Sequence, residues 1–356
     1  MMKLLALAGL SATVAIGAQQ PVVQNGRVDV RPGTSIEREI AAVGAGTEPV
    51  WVAWRVPMVP GDWNLCSTWS DGRTFVRGDV LEGRAPHQDP IQFPAPAGPL
   101  RLEAGTTLLV LGRVVDGRLE RLRTVGDDCP IDAGGRTLYW LPSVTAGASV
   151  PYLEGLAGQQ PLGVGVNRRL ADAALSALSF HADPAATAVL ERLSARPFDA
   201  AIRRQAATAL SVTRGARGFD RVLAMLNAEP DSDLRRALVG ALAQSGHEKT
   251  ADALLNIARS DADVTVRGEA AYRYVRRGGE PALSTAVTLL DSDADESVKR
   301  RIISGIASLP DATSAPLLLQ LARTHANPTV RREAVTALGR SKEPGAIGLM
   351  EEILGR

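Results

Sequence analysis

One short motif returns along the second half of the chain at a constant spacing of 32 residues. It reads "VRREAVTAL" from Val330, "VKRRIISGI" from Val298, "VRGEAAYRY" from Val266, "LRRALVGAL" from Leu234 and "IRRQAATAL" from Ile202. A weaker copy, "LADAALSAL", begins at Leu170. A period held over six copies without slippage predicts a stack of equal units, each too small to bury its own apolar face alone.

The residues inside one copy predict a helix. With the first apolar residue numbered zero, positions 0, 4, 7, 8 and 11 fall on one stripe. In the last copy these are Val330, Ala334, Ala337, Leu338 and Ser341. Mixed small and large side chains let neighbouring helices approach to about 8–10 Å. Three places before each start stands Asn167, Asp199, Asp231, Asp263, Asp295 or Asn327. These are residues that cap helix N-termini by accepting from orphan amides. Between the copies run second helical patterns such as "TADALLNIARS" and "SAPLLLQLART", so each unit reads as a pair of antiparallel helices.

Each of the five stronger copies opens on a basic residue four places after its cap: Arg203, Arg235, Arg267, Lys299 and Arg331. It lies at the flank of the stripe. Stacking would set caps and bases in a structural ladder, each base reaching its own cap and the next. A further basic residue follows in Arg204, Arg236, Arg300 and Arg332, with Gly268 breaking the row. That position points away from the stripe and should face solvent. Positions 6 and 9 share its azimuth and are mostly small: Thr208 and Ser211, Gly240 and Ala243, Ser304 and Ala307, Thr336 and Gly339. An arginine row beside a smooth floor would make a groove for an acidic, carboxylate-bearing protein or peptide partner. An ordinary solvated face is the plainer reading. The copy from Val266 differs: it puts Tyr272 on the floor, Tyr274 on the stripe, and Arg273 where others carry Ala or Gly. This is either local repacking or a binding hot spot, for which Tyr and Arg are favoured.

Paired helices, an Asp before "VR" and the Ala/Leu stripe that follows resemble HEAT repeats, in the short 32-residue form of bacterial repeat proteins that include relatives of phycobilin lyases. The resemblance covers residues 146–356. It implies an all-α right-handed solenoid, with the second helices on the concave side and the Asp/Arg ladder structural. By position the ladder carries over to Asp199 with Arg203, Asp231 with Arg235 and Asp263 with Arg267. Asp295 with Lys299 and Asn327 with Arg331 are softer versions. Ala171 replaces the ladder base in the first copy, which fits a capping repeat.

Residues 19–145 read differently and resemble no family. "PVWVAWRVP" alternates, with Val50, Val52, Trp54 and Val56 on one face. "TTLLVLGRVVDGRLERLRTV" is a hairpin around Asp116-Gly117, and "CSTWSDGRTFV" repeats the logic around Asp71-Gly72. "GGRTLYWLPSV" is a further strand, and the proline-rich residues 84–99 a loop. An all-β domain, a small sandwich or partial barrel, is expected. All five tryptophans lie here, as core or as an aromatic platform for a sugar or peptide. Cys66 and Cys129 are the only cysteines, and read as one disulfide or as two buried thiols.

Residues 1–18 read as a signal peptide: Lys3, an apolar run from Leu4 to Ile16, then Gly17 and Ala18 before the cut. An uncleaved anchor is the alternative. An exported chain, periplasmic or secreted, follows, with no membrane span after cleavage. A formal net charge of +1 argues for no nucleic-acid partner. The histidines, His87, His181, His247 and His325, are scattered, and the last three read as surface residues near turns. Asp291 to Ser297 is dense in oxygen but lacks the EF-hand glycine and terminal glutamate, and reads as an inter-helix turn. No nucleophile elbow, P-loop or zinc motif is present, so no catalytic residue, metal or cofactor is expected. The functional expectation is an exported, non-enzymatic scaffold. The alternative is a carbohydrate- or peptide-binding β-domain with the solenoid as spacer. A lyase-like enzyme or cofactor chaperone rests on fold analogy alone.

Overall fold

The computed structural model describes residues 20–353 apart from 45, 47, 64, 71–73, 78, 83–104, 160–164, 342 and 343. The signal-like segment 1–18, His87, residues 84–99, the Asp71-Gly72 turn and the side chain of Trp69 lie outside the described residues. The chain divides into two compact units, Met1–Ala186 and Thr187–Arg356.

The first unit is built on β-sheets. Its main sheet has the order β2 (Arg27–Val30), β10 (Thr137–Trp140), β3 (Val50–Pro57), β7 (Thr107–Val115), β8 (Arg118–Gly126). β10 runs parallel to both its neighbours, while β3, β7 and β8 are antiparallel in turn. A smaller parallel sheet joins β1 (Val23–Gln24), β9 (Ile131–Asp132) and β6 (Asp79–Val80). β4 (Ser67–Ser70) pairs with β5 (Thr74–Arg77). The Asp116-Gly117 turn forms as its sequence implies, with φ of 49° and 68°.

β3 is central, and every residue from Trp51 to Val56 is buried. Both of its faces are therefore covered. Trp51 packs with Ala53, Leu109, Leu111, Leu138 and Trp140 in one core. On the other face Trp54 meets helix α2 (Ala146–Ala157), its ring edge-on to Tyr152 at 6.0 Å. Its indole N–H donates to Ser149 Oγ at 3.0 Å. These tryptophans are core, with no face free for a ligand. Arg55 is tolerated inside because Asp127 takes its Nη2 at 2.5 Å. Cys66 and Cys129 form the disulfide within the same core.

Helix α1 (Ile36–Val43) is an element that strand alternation did not foresee. Its signal is nonetheless local: Ser35 caps it, and Ile36, Ile40 and Val43 recur at helical spacing and are buried. α2 and α3 (Val166–Phe180) pack together in this unit, and α3 also meets β8. Two of the sequence expectations fail here. Asn167 is no cap: it lies inside α3, which starts after Gly165, at φ 94°. His181 is no surface residue: it is fully buried, because its backbone pairs with Met58 at the end of β3.

Helices continue into the second unit: α4 (Pro184–Leu193), α5 (Ala200–Thr213), α6 (Gly215–Ala228), α7 (Ser232–Leu242), α8 (Thr250–Ser260), α9 (Val264–Gly278), α10 (Leu283–Ser292), α11 (Glu296–Ala307), α12 (Asp311–Thr324), α13 (Pro328–Leu338) and α14 (Pro344–Ile353). The motif helices α5, α7, α9, α11 and α13 pack serially, each on the next. Their stripe is the seam, with Ile202, Leu234, Val266, Val298 and Val330 all buried. Asp199, Asp231, Asp263, Asp295 and Asn327 each cap their helix, accepting from backbone N–H groups of the first turn.

Candidate functional site

The ladder bases sit between helices, but their carboxylate partners differ from the expected ones. Arg203, Arg235 and Arg267 pair with Glu229, Asp261 and Asp293 of the following unit. These acids stand two places before the caps Asp231, Asp263 and Asp295, not at them. The Oδ1 of each Asp cap accepts from helix amides instead. Each acid also receives the backbone N–H of the cap beside it, at 3.2, 2.9 and 2.8 Å. The other edge of the guanidinium satisfies carbonyls that end the preceding turn. Arg267 Nη1 donates to the carbonyls of Asp261 and Ala262 at 3.0 and 3.2 Å. Arg235 and Arg331 repeat this on Glu229 and Pro230, and on His325 and Ala326. A planar guanidinium with five donors serves both ends at once. Lys299 keeps only the carbonyl half, donating to Leu290 and Asp293.

Burial alone would push the Asp293 carboxyl up. The bonds from Arg267 and from the Asp295 amide outweigh it and hold the group below its ordinary value.

The second row behaves as its azimuth demands: Arg204, Arg236, Arg300 and Arg332 are all exposed. Of the floor residues, Ser304, Ala307, Thr336 and Gly339 are exposed, and Thr208, Gly240 and Ala243 half-buried. Ser211 departs from the expectation, being buried at the packed C-terminal half of α5. A cleft of about 400 Å³ opens among α11, α12 and α13, lined by Ser304, Ala307, Thr336, Glu333 and Arg340 among others.

The odd copy forms a cluster. Tyr272 on α9 has the guanidinium of Arg301, from α11, 4.3 Å from its ring centroid. Arg273 and Arg276 each lie 5.7 Å from the same centroid. Arg276 Nη1 donates to the Tyr272 hydroxyl at 3.3 Å. Beneath them the buried Glu269 receives Arg273 Nε at 2.6 Å on one oxygen and Arg301 on the other. Burial would raise the Glu269 carboxyl, but these two bonds prevail and hold it below the usual range. The break in the arginine row now has a cause. A Cβ at Gly268 would sit 3.2–3.3 Å from Arg301 Cγ and Cβ, so the glycine leaves room for that stem to cross.

Residues 194–275 and 283–356 match the family model of HEAT repeats. Residues 194–356 are a HEAT-like repeat segment. No family model matches the N-terminal region. No curated protein matches the chain. Among solved structures, human deoxyhypusine hydroxylase in complex with glycerol is similar at 15% identity and a TM-score of 0.30, over 57% of this chain and 88% of that one. A likeness of that extent says nothing about activity.

Within the HEAT-like segment, sequence reasoning missed Glu229, Asp261, Asp293, Glu269 and Arg301. The first three carry a visible signal, acids recurring every 32 residues beside the caps. Glu269 and Arg301 carry none, since the repeat position they share varies from copy to copy, with Gln205, Ala237 and Glu333 in the others.

Proposed function

We propose that the chain is an exported, non-enzymatic scaffold whose HEAT-like segment holds an acidic protein or peptide partner. The observation that carries this reading is the exposed row of Arg204, Arg236, Arg300 and Arg332, carried by four of the five motif helices, α5, α7, α11 and α13, beside small floor residues. The ladder bases are consumed inside the fold, whereas this row is not needed there. Among the described residues, Arg236 has only the exposed Asp233 at 3.7 Å as an ionic partner. Surface charge of one sign on a regular lattice steers and orients a complementary chain. Export is supported by the signal-like residues 1–18 and by the disulfide, which persists in oxidising compartments. No helix among the described residues is long and apolar enough to cross a membrane.

Anisotropy of a fluorescein-labelled peptide of alternating Glu and Gly tests the reading. The double variant Arg236→Glu, Arg300→Glu should weaken binding by about tenfold or more, with the loss shrinking at high salt. Equal affinity for wild type and variant would remove the groove from consideration.

A further inference from the structure

We propose that the Tyr272 cluster is a receptor for a single carboxylate, an Asp or Glu side chain of that acidic partner. This rests on the groove reading and adds to it a specific anchoring point.

The charge is unbalanced. Three guanidiniums, Arg273, Arg276 and Arg301, gather at the Tyr272 ring, and the carboxylate among them, Glu269, pairs with two, Arg273 and Arg301. Arg277, next along α9, donates to the Ala243 carbonyl. No carboxylate among the described residues pairs with Arg276 or Arg277. Each cluster arginine engages a single donor within it: Nε of Arg273, Nη1 of Arg276, Nη2 of Arg301. The remaining N–H edges are forks of the shape that receives a two-oxygen carboxylate.

The geometry is organised in advance. Tyr272 presents its ring to all three guanidiniums, which lie 4.3 to 5.7 Å from its centroid. Glu269 already shows that two of them converge on one carboxylate. The helices beneath are tightly apposed: a Cβ at Gly305 on α11 would lie 3.3 Å from the Tyr272 backbone. A site held this way loses little side-chain freedom on binding.

Its place also fits. The exposed row lacks a basic residue at Gly268, between Arg236 and Arg300. Arg301 crosses over that glycine, so the cluster supplies positive charge where the row is interrupted.

The full chain and the same Glu/Gly peptide test this. The double variant Arg276→Gln, Arg301→Gln should bind about tenfold more weakly. Arg276→Gln alone serves as a variant whose fold is secure, because Arg276 is exposed and its one bond is to the Tyr272 hydroxyl; it should lose about threefold. Affinities within about 1.5-fold of wild type for both, while Arg236→Glu, Arg300→Glu still weakens binding, would leave the groove and overturn the receptor. No change in either set would remove both. A matching phosphoserine/Gly peptide should bind no more tightly than the Glu/Gly peptide. Tighter phosphopeptide binding, abolished by the cluster variants, would overturn the carboxylate assignment.

Discussion

Arg267 joins Asp293, 26 positions ahead, by two bonds: Nε to Oδ2 at 2.8 Å and Nη2 to Oδ1 at 3.3 Å. The same guanidinium closes the carbonyls of Asp261 and Ala262 behind it. One side chain thus ties three successive pieces of backbone, and the pair is largely withdrawn from water, at 18% and 10% side-chain exposure.

Removing one member should therefore cost more than a surface ion pair. Arg267→Gln should lower unfolding free energy by about 2–3 kcal/mol, since it strands Asp293 in a poorly solvated place. A double-mutant cycle with Asp293→Asn should give a coupling of about 1 kcal/mol or more. Urea denaturation followed by circular dichroism measures both. A loss under about 0.5 kcal/mol would mean the ladder is decorative.

Acid should act on the same groups. Asp293 and Glu269 ionise below their ordinary values of 3.8 and 4.5. A carboxyl depressed in the folded state gives stability that is complete above the unfolded value. That stability fades as pH falls below 4.5 and then 3.8, through the depressed folded values. Stability measured from pH 6 downward should hold to about pH 5 and then decline. Arg267→Gln should flatten the part due to Asp293. An unaltered slope would contradict the assignment.

Gly305 tests how closely α9 and α11 must approach. A Cβ there meets backbone atoms of Tyr272, which cannot swing aside as a side-chain tip would. Gly305→Val should cost about 1–3 kcal/mol through overpacking, despite the better helix propensity of valine over glycine. It should also weaken the Glu/Gly peptide by disturbing Arg301 over Tyr272. A more stable variant with unchanged binding would show the approach to be slack.

The disulfide can be tested with an intrinsic probe. All five tryptophans lie between residues 51 and 140, so tryptophan emission follows the first unit. Cys66→Ser with Cys129→Ser opens a link of 63 residues and should destabilise that transition by about 4 kcal/mol. An unchanged denaturation midpoint would deny the bridge a structural role.

The sequence by itself determined the repeat, its period and the helix starts of the five stronger copies. These follow from local physics: an Asp or Asn caps amides two or three residues away, and a stripe needs only 3.6-residue periodicity. The exposure of Arg204, Arg236, Arg300 and Arg332 followed from the same wheel. So did the Asp116-Gly117 turn. Tertiary structure alone decided which acid each ladder arginine meets, because caps and acids stand only two residues apart and helix stacking chooses between them. It also decided that both faces of β3 are buried, which turned Trp51 and Trp54 into core. And it brought Arg301 over Gly268 to Glu269, 32 residues away, a meeting that no local rule encodes because it exists only once two helices are pressed together.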